Sequence, residues 1–199
     1  MGRAEKDDDS TWLDLTESCF LMAYNNAASK LERAVRAFLI SQGKTTTANC
    51  YTMNGSNDKV LPNRVIGCVS FSPQRPYRAE GWVRLQIDHR FAGALDPNET
   101  DTDKQRWLID SFLGDTLDSL MISDGNSLNT SADGITAAGR ALATDPDPVV
   151  AADNSDMANF RCDTIKLGDP MHTRGKTDDQ AAVWLEALHF MCFVSTASA

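Results

Sequence analysis

The stretch Gly81–Phe91, GWVRLQIDHRF, decides how the chain is read. Val83, Leu85, Ile87, His89 and Phe91 alternate with Arg84, Gln86, Asp88 and Arg90. Side chains on a strand point to opposite faces with period two, so this is a strand with one apolar and one charged face. Burying Val83, Leu85, Ile87 and Phe91 contributes roughly 1.5–3 kcal/mol each, so that face needs a cover. An amphipathic helix just downstream and a long helix at the N-terminus can supply it. The charged face is left for water or another subunit.

Upstream, Leu13, Phe20, Leu21, Tyr24, Ala27, Ala28, Leu31, Ala34, Val35, Phe38 and Leu39 recur at spacings of three and four. They predict a helix from a Ser10 or Thr11 cap to about Gln42, kinked near Thr16–Ser18 and stopped by Gly43. Residues 1–9 are expected to be a disordered tail. Residues 43–63 are polar and turn-rich, with a short strand near Cys50–Met53. Arg64–Ser72 then reads as a strand, and after Pro73 and Pro76 it forms an antiparallel hairpin with the central strand. Downstream, a helix is predicted from about Asp103 to Met121, with an apolar stripe of Trp107, Leu108, Phe112, Leu113, Leu117, Leu120 and Met121.

The stretch Ser123–Asn159 is rich in Ser, Asn, Asp, Ala and Gly, with room for a short helix around Ile135–Ala143. A stretch so poor in apolar residues reads as an excursion from a single domain spanning 10–199, and is expected to be mobile. Two strands follow, Phe160–Leu167 and Ala182–Ser195, joined by a polar hairpin tip at Gly168–Gln180. The last strand is apolar on both faces, which predicts a central position in the sheet or a cover on both sides. The expected class is therefore α+β: an antiparallel sheet of two hairpins packed against a long N-terminal helix and a second amphipathic helix, in the order α-β-β-α-β-β.

The chain has 199 residues, 42% hydrophobic and 24% charged, enough for one well-buried core. Its formal charge of −9 argues against general nucleic-acid binding, which needs a basic stripe. The charge is uneven: Gly93–Phe160 carries 13 acidic and 3 basic side chains, whereas Arg64–Phe91 carries 5 basic and 2 acidic. A positive sheet and a negative helix-and-loop region suit head-to-tail contact between copies, and equally describe ordinary solvated faces. The polar, acidic start has no apolar h-region, so no signal peptide is expected, and no apolar run is long enough to span a membrane. Five cysteines (Cys19, Cys50, Cys68, Cys162, Cys192), odd in number and without a CxxC pair, read as reduced structural thiols.

No motif in the sequence carries a reaction. Gly43-Lys44-Thr45 is not a phosphate loop, because Phe38 stands where its first glycine belongs. Asp124-Gly125-Asn126 is not a calcium loop, because Ile135 stands where the twelfth-position Glu belongs. His89, His172 and His189 form no HxxxH or HExxH pair, so no metal or cofactor is expected. His89 and His189, both in strands, read as hydrogen-bonded core or interface residues with a chance of approaching each other. His172, in a loop beside Asp169 and Asp178, is the one candidate for weak metal binding or proton transfer. No nucleophile elbow or activated cysteine occurs, so no catalytic residue is assigned. Trp82, at a strand end, reads as a core residue or an interface anchor.

The element order resembles that of tail-terminator (tail-completion) proteins of long-tailed bacteriophages and related small proteins of the head-to-tail neck. The likeness rests on SKLERAVRAFL (Ser29–Leu39), the alternating strand VRLQIDHRF, the helix RWLIDSFLGDTLDSLM and the terminal strand ALHFMCFVS. It is a likeness of architecture over most of the chain, and the segment 123–159 is longer than the pattern needs.

The resemblance implies a non-enzymatic virion part assembled in the host cytoplasm. Such a part forms a ring, expected to be a homohexamer, that caps the tail tube and docks to the head connector. Its partners would be further copies of itself, the tail tube protein and the head–tail connector protein, with no specific nucleic acid and no membrane. Arg75, Arg78, Trp82, Arg84 and Arg90 are the expected interface residues. Other readings are a tail-tube or connector-adaptor protein, or a small hydrolase using His172 with neighbouring carboxylates.

Overall fold

The computed structural model describes residues 27–53, 61–74, 80–92, 102–121, 130–176 and 183–195. The expected disordered tail, the start of the first helix and the interface candidates Arg75 and Arg78 lie outside them. Within them, helix α1 covers residues 27–41 and β1 is Cys50–Thr52. β2 is Asn63–Pro73 and β3 is Glu80–Ala92. Helix α2 is Thr102–Met121, α3 is Thr130–Ala143 and α4 is Pro148–Asp153. β4 (Arg161–Lys176) and β5 (Val183–Ser195) end the described chain. The strands form one five-stranded sheet in the order β1-β2-β3-β5-β4.

The alternation in β3 is a burial alternation. Val83, Leu85, Ile87 and His89 have no exposed surface and Phe91 has almost none, while Trp82, Arg84, Gln86, Asp88 and Arg90 are half-buried. The inward side chains meet Leu31, Ala34, Val35 and Leu39 of α1 and Leu113 and Leu120 of α2 in one core. Cys192, Phe190 and Leu188 of β5 continue the inward face beside Val83, Leu85 and Ile87. β5 lies between β3 and β4, so the strand with the most apolar sequence is flanked on both edges. Helix α1 ends where the chain turns through Gly43, whose φ of +67° a side chain would strain. At Gly81 an added Cβ would sit 2.3 Å from the carbonyl oxygen of Ser72, so only glycine lets β2 and β3 close there.

Four expectations are corrected. The sheet is mixed and not purely antiparallel, because Cys50–Thr52 runs parallel to Arg64–Ile66 at one edge. Three residues are too few to show a period, so the strand's direction could not be read in advance. Glu32 of α1 completes this edge: its Oε1 accepts from the Cys68 N–H at 2.9 Å, within the sheet and away from water. Burial pushes its carboxyl up, partly offset by bonds from the Cys68 and Met53 N–H groups. Glu32→Ala is expected to cost about 2 kcal/mol by orphaning those donors. Urea melts of that variant beside Glu32→Gln check it, and equal stability of wild type and Glu32→Ala would refute it.

The described part of the stretch 123–159, residues 130–159, is not an excursion. Ala132, Ile135, Met157 and Phe160 are fully buried in the main core, and Ala138 and Leu142 pack against it. Small residues make this cover possible: a Cβ on Gly139 would lie 2.9 Å from Ala34 Cβ and 2.8 Å from Phe160, so α3 approaches α1 closely. Arg33 of α1 ties down the following turn through Asn154 Oδ1 (2.9 Å) and both carboxylate oxygens of Asp156 (2.8 and 3.1 Å). Asp147 caps α4 by accepting from the Val149 N–H. A few deep side chains on Ala- and Gly-rich helices need no long apolar run, which is why composition pointed the other way.

β4 does not stop at Leu167 but continues to Lys176, through most of the expected hairpin tip. It accommodates Gly168–Met171 by a register shift between Leu167, opposite Phe190, and His172, opposite Leu188. In α2 the buried stripe begins a turn later than expected. Leu113, Thr116 and Leu120 are buried and Leu117 is half-buried, whereas Trp107 is 66% and Leu108 43% exposed.

Candidate interaction face and a buried polar cluster

Residues opposite one another in adjacent strands share a face, so the register assigns every side chain of the sheet. On the face away from the helices, Trp82, Phe193 and Thr164 form one row across β3, β5 and β4. Arg84, Met191 and Lys166 form the next. The rings of Trp82 and Phe193 meet edge to face at 5.4 Å, and Lys166 Nζ lies 4.5 Å from the centre of the Trp82 ring. Arg90 stands further along β3, 3.7 Å from Asp88, whose Oδ1 accepts from Gln86 at 2.7 Å. Trp82, Arg84 and Arg90 therefore share this face. Among the described residues Arg84 and Lys166 form no ion pair.

On the helix-covered face lies a polar cluster that motif reading did not assemble. Arg64 is 1% exposed and donates to Thr116 Oγ1, Lys44 O and Phe112 O, each at 3.0 Å. Its guanidinium also stacks 3.5 Å over the Phe112 ring. His89, directly opposite Arg64, has Nδ1 3.1 Å from Glu186 O and Nε2 2.8 Å from Thr116 Oγ1. A carbonyl only accepts, so Nδ1 carries the proton and Nε2 accepts from the Thr116 hydroxyl. The hydroxyl oxygen in turn accepts from Arg64. Burial, then the Arg64 charge, bring the His89 pKa from 6.5 down to about 3. Burial lowers Arg64 to about 10, which leaves it charged at neutral pH. The signal in the sequence was a lone charge inside an apolar strand: Arg64 before VIGCV and Glu186 within AVWLEALHF.

His172 is placed differently from its expectation. It is paired within β4, and its Nε2 lies 2.5 Å from Oε2 of the buried Glu186, with 32% of its side chain exposed. Its carboxylate partner is thus Glu186 of β5 and neither of the neighbours the sequence offered, Asp169 and Asp178. Among the described residues no group of three His, Cys, Asp or Glu side chains is arranged to hold a metal ion. His89 and His189 do not approach: His189 lies opposite Gln86 on the outer face, where its Nε2 pairs with Thr173 Oγ1 at 3.0 Å.

A shallow cleft of about 340 Å³ opens between α1, β1, α3 and α4, with Arg33, Arg36, Tyr51, Leu142 and Val150 in its lining. Its arginines are engaged structurally, Arg33 with Asp156 and Arg36 with the Cys50 carbonyl oxygen at 2.7 Å. Cys50, Cys68, Cys162 and Cys192 are buried free thiols, and burial raises Cys50 and, more strongly, Cys68. A thiol reagent is expected to leave these four unreacted in the native protein and to titrate all five cysteines after denaturation without reductant. Recovery of three or fewer would show disulfides. No described helix is long and apolar enough to cross a membrane. No protein-family model matches the chain, and no curated protein matches it.

Proposed function

We propose that this chain is a structural virion protein, a tail-terminator subunit that assembles into a ring at the head-proximal end of a phage tail. The ring closes the tail tube and presents a docking surface to the head connector. The observation that carries this reading is a sheet with two dissimilar faces. Helices seal one face, and the other presents aromatic and cationic rows with no chemistry to perform. The element order carries the likeness to the tail-terminator class, and it works by surfaces rather than by catalysis. The net charge of −9 suits a lumen through which DNA passes, since phosphates are repelled and do not adhere.

Native mass spectrometry and electron micrographs of the purified protein test the reading. The expected result is a six-fold ring. Deleting the gene in its phage is expected to leave filled heads unattached and tails of irregular, excessive length. A monomer, or joined virions of normal tail length after deletion, would overturn it. Within this reading the His172–Glu186 pair holds β4 against β5. Hydrolysis lost in His172→Ala by a monomeric protein would instead favour a small hydrolase.

A further inference from the structure

Helix α2 turns an aromatic side chain outward. Trp107 lies nine positions from the fully buried Thr116, which at 3.6 residues per turn puts it on the opposite side of the helix. It is 66% exposed, Leu108 beside it is 43% exposed, and Asp110 one turn on has 60% of its side chain in solvent. Gly114, two turns along the same outward side, would have nothing within 4 Å of an added Cβ, so the helix backbone is open to close approach. A large indole held in water forfeits about 1.5–3 kcal/mol of burial and stays mostly uncovered by the described residues.

We propose that this outward side of α2 docks on the outer sheet face of a second copy of the chain, head to tail. Trp107 enters the aromatic row of Trp82 and Phe193, and Asp110 meets the cationic row of Arg84 and Lys166. Three observations favour a second copy as the occupant. The charges are complementary, since the outward side of α2 carries exposed Asp118 and an exposed Asp110 whose only described ion pair is a solvent-exposed one with Arg106 at 3.8 Å, while Arg84 and Lys166 lack ion pairs among the described residues. The spacings agree: side chains three apart on a helix stand about 5–6 Å apart, and adjacent same-face rows of a strand are separated by about 7 Å. The two patches also lie on opposite faces of the fold, so the contact is heterologous and propagates until rotation closes it into a ring. An isologous dimer cannot be made from these patches.

This inference rests on the ring reading and names its seam. Sedimentation velocity and native mass spectrometry test it on wild type, Trp107→Ala, Arg84→Glu, Asp110→Arg and the double variant Arg84→Glu/Asp110→Arg. All three sites reach the surface, and the circular-dichroism melts of the four variants should match wild type. Trp107→Ala is expected to weaken assembly about thirtyfold or more, as for a central aromatic anchor. Each single charge reversal should weaken it about tenfold or more, and the double variant should regain assembly, because the pair is then reversed and not removed. Rings that form equally well in every variant would overturn the seam and leave the ring reading standing. Monomeric wild type would overturn the ring reading itself, and a two-fold dimer would overturn the head-to-tail contact.

Discussion

Lowering the pH from 7 to 4 is expected to remove about 3 kcal/mol of folding stability through His89 alone, whose pKa falls from 6.5 to about 3 on folding. The unfolded chain takes up a proton as pH falls through 6.5, and the folded chain does not until about 3. The unfolded state therefore binds more protons throughout that window, and stability declines as pH falls across it. The folded site has no place for the charge. Imidazolium would require the Thr116 hydroxyl to stop donating to Nε2, and it would stand beside the fixed Arg64 cation. Glu32 works in the opposite sense, since its raised carboxyl takes up a proton earlier in the folded state and adds stability as pH falls. Urea unfolding at pH 7 and pH 4, at fixed protein concentration, measures the balance. His89→Gln keeps a donor and an acceptor without a titration, so its loss between the two pH values should be smaller by about the same 3 kcal/mol. Parallel pH profiles for the two proteins would refute the neutral, buried imidazole.

Arg64→Ala is expected to cost about 3–5 kcal/mol, the largest effect of any polar side chain in the described core. The guanidinium holds three elements together: β2 through its own backbone, α2 through Phe112 O and Thr116, and the segment after α1 through Lys44 O. Truncation removes the guanidinium donors from Lys44 O and Phe112 O and opens a void over the Phe112 ring. Arg64→Lys recovers only part of the loss, because a single ammonium on a flexible stem cannot stack on Phe112 while reaching three acceptors in the plane of a fork. Equilibrium unfolding gives the magnitude, and hydrogen exchange gives the place, with protection lost first in α2. Thr116→Val should act in the same direction by removing the oxygen shared by Arg64 and His89. A loss under about 1 kcal/mol for Arg64→Ala would mean that water replaces the guanidinium and that the cluster does not bind α2 to the sheet.

The amphipathic parts of this molecule were legible because their periods are local. The alternation from Val83 to Phe91 and the three-and-four spacing from Ala27 to Leu39 each state which side is buried before any partner is known. The apolar run in β5 likewise foretold a central place in the sheet, and the lone Gly43 marked where the first helix ends. Trp82, Arg84 and Arg90 could be put on a common face from their even spacing alone.

Everything that depends on where distant segments meet waited for the tertiary structure. Whether Ile135, Met157 and Phe160 are buried is decided by the closeness with which Gly139 lets α3 approach α1, a property of the pair and not of either sequence. Arg64, His89, Thr116 and Glu186 come from four separate elements, and each alone looks like an ordinary polar residue. The exposure of Trp107 follows from the rotation of α2 about its axis, which is set by which of two neighbouring apolar stripes fits the sheet. Periodicity tells a chain which side of an element to hide, because that information lies within one or two turns. The choice of partner, and so the buried cluster and the outward tryptophan, is a free-energy difference between whole arrangements of the chain.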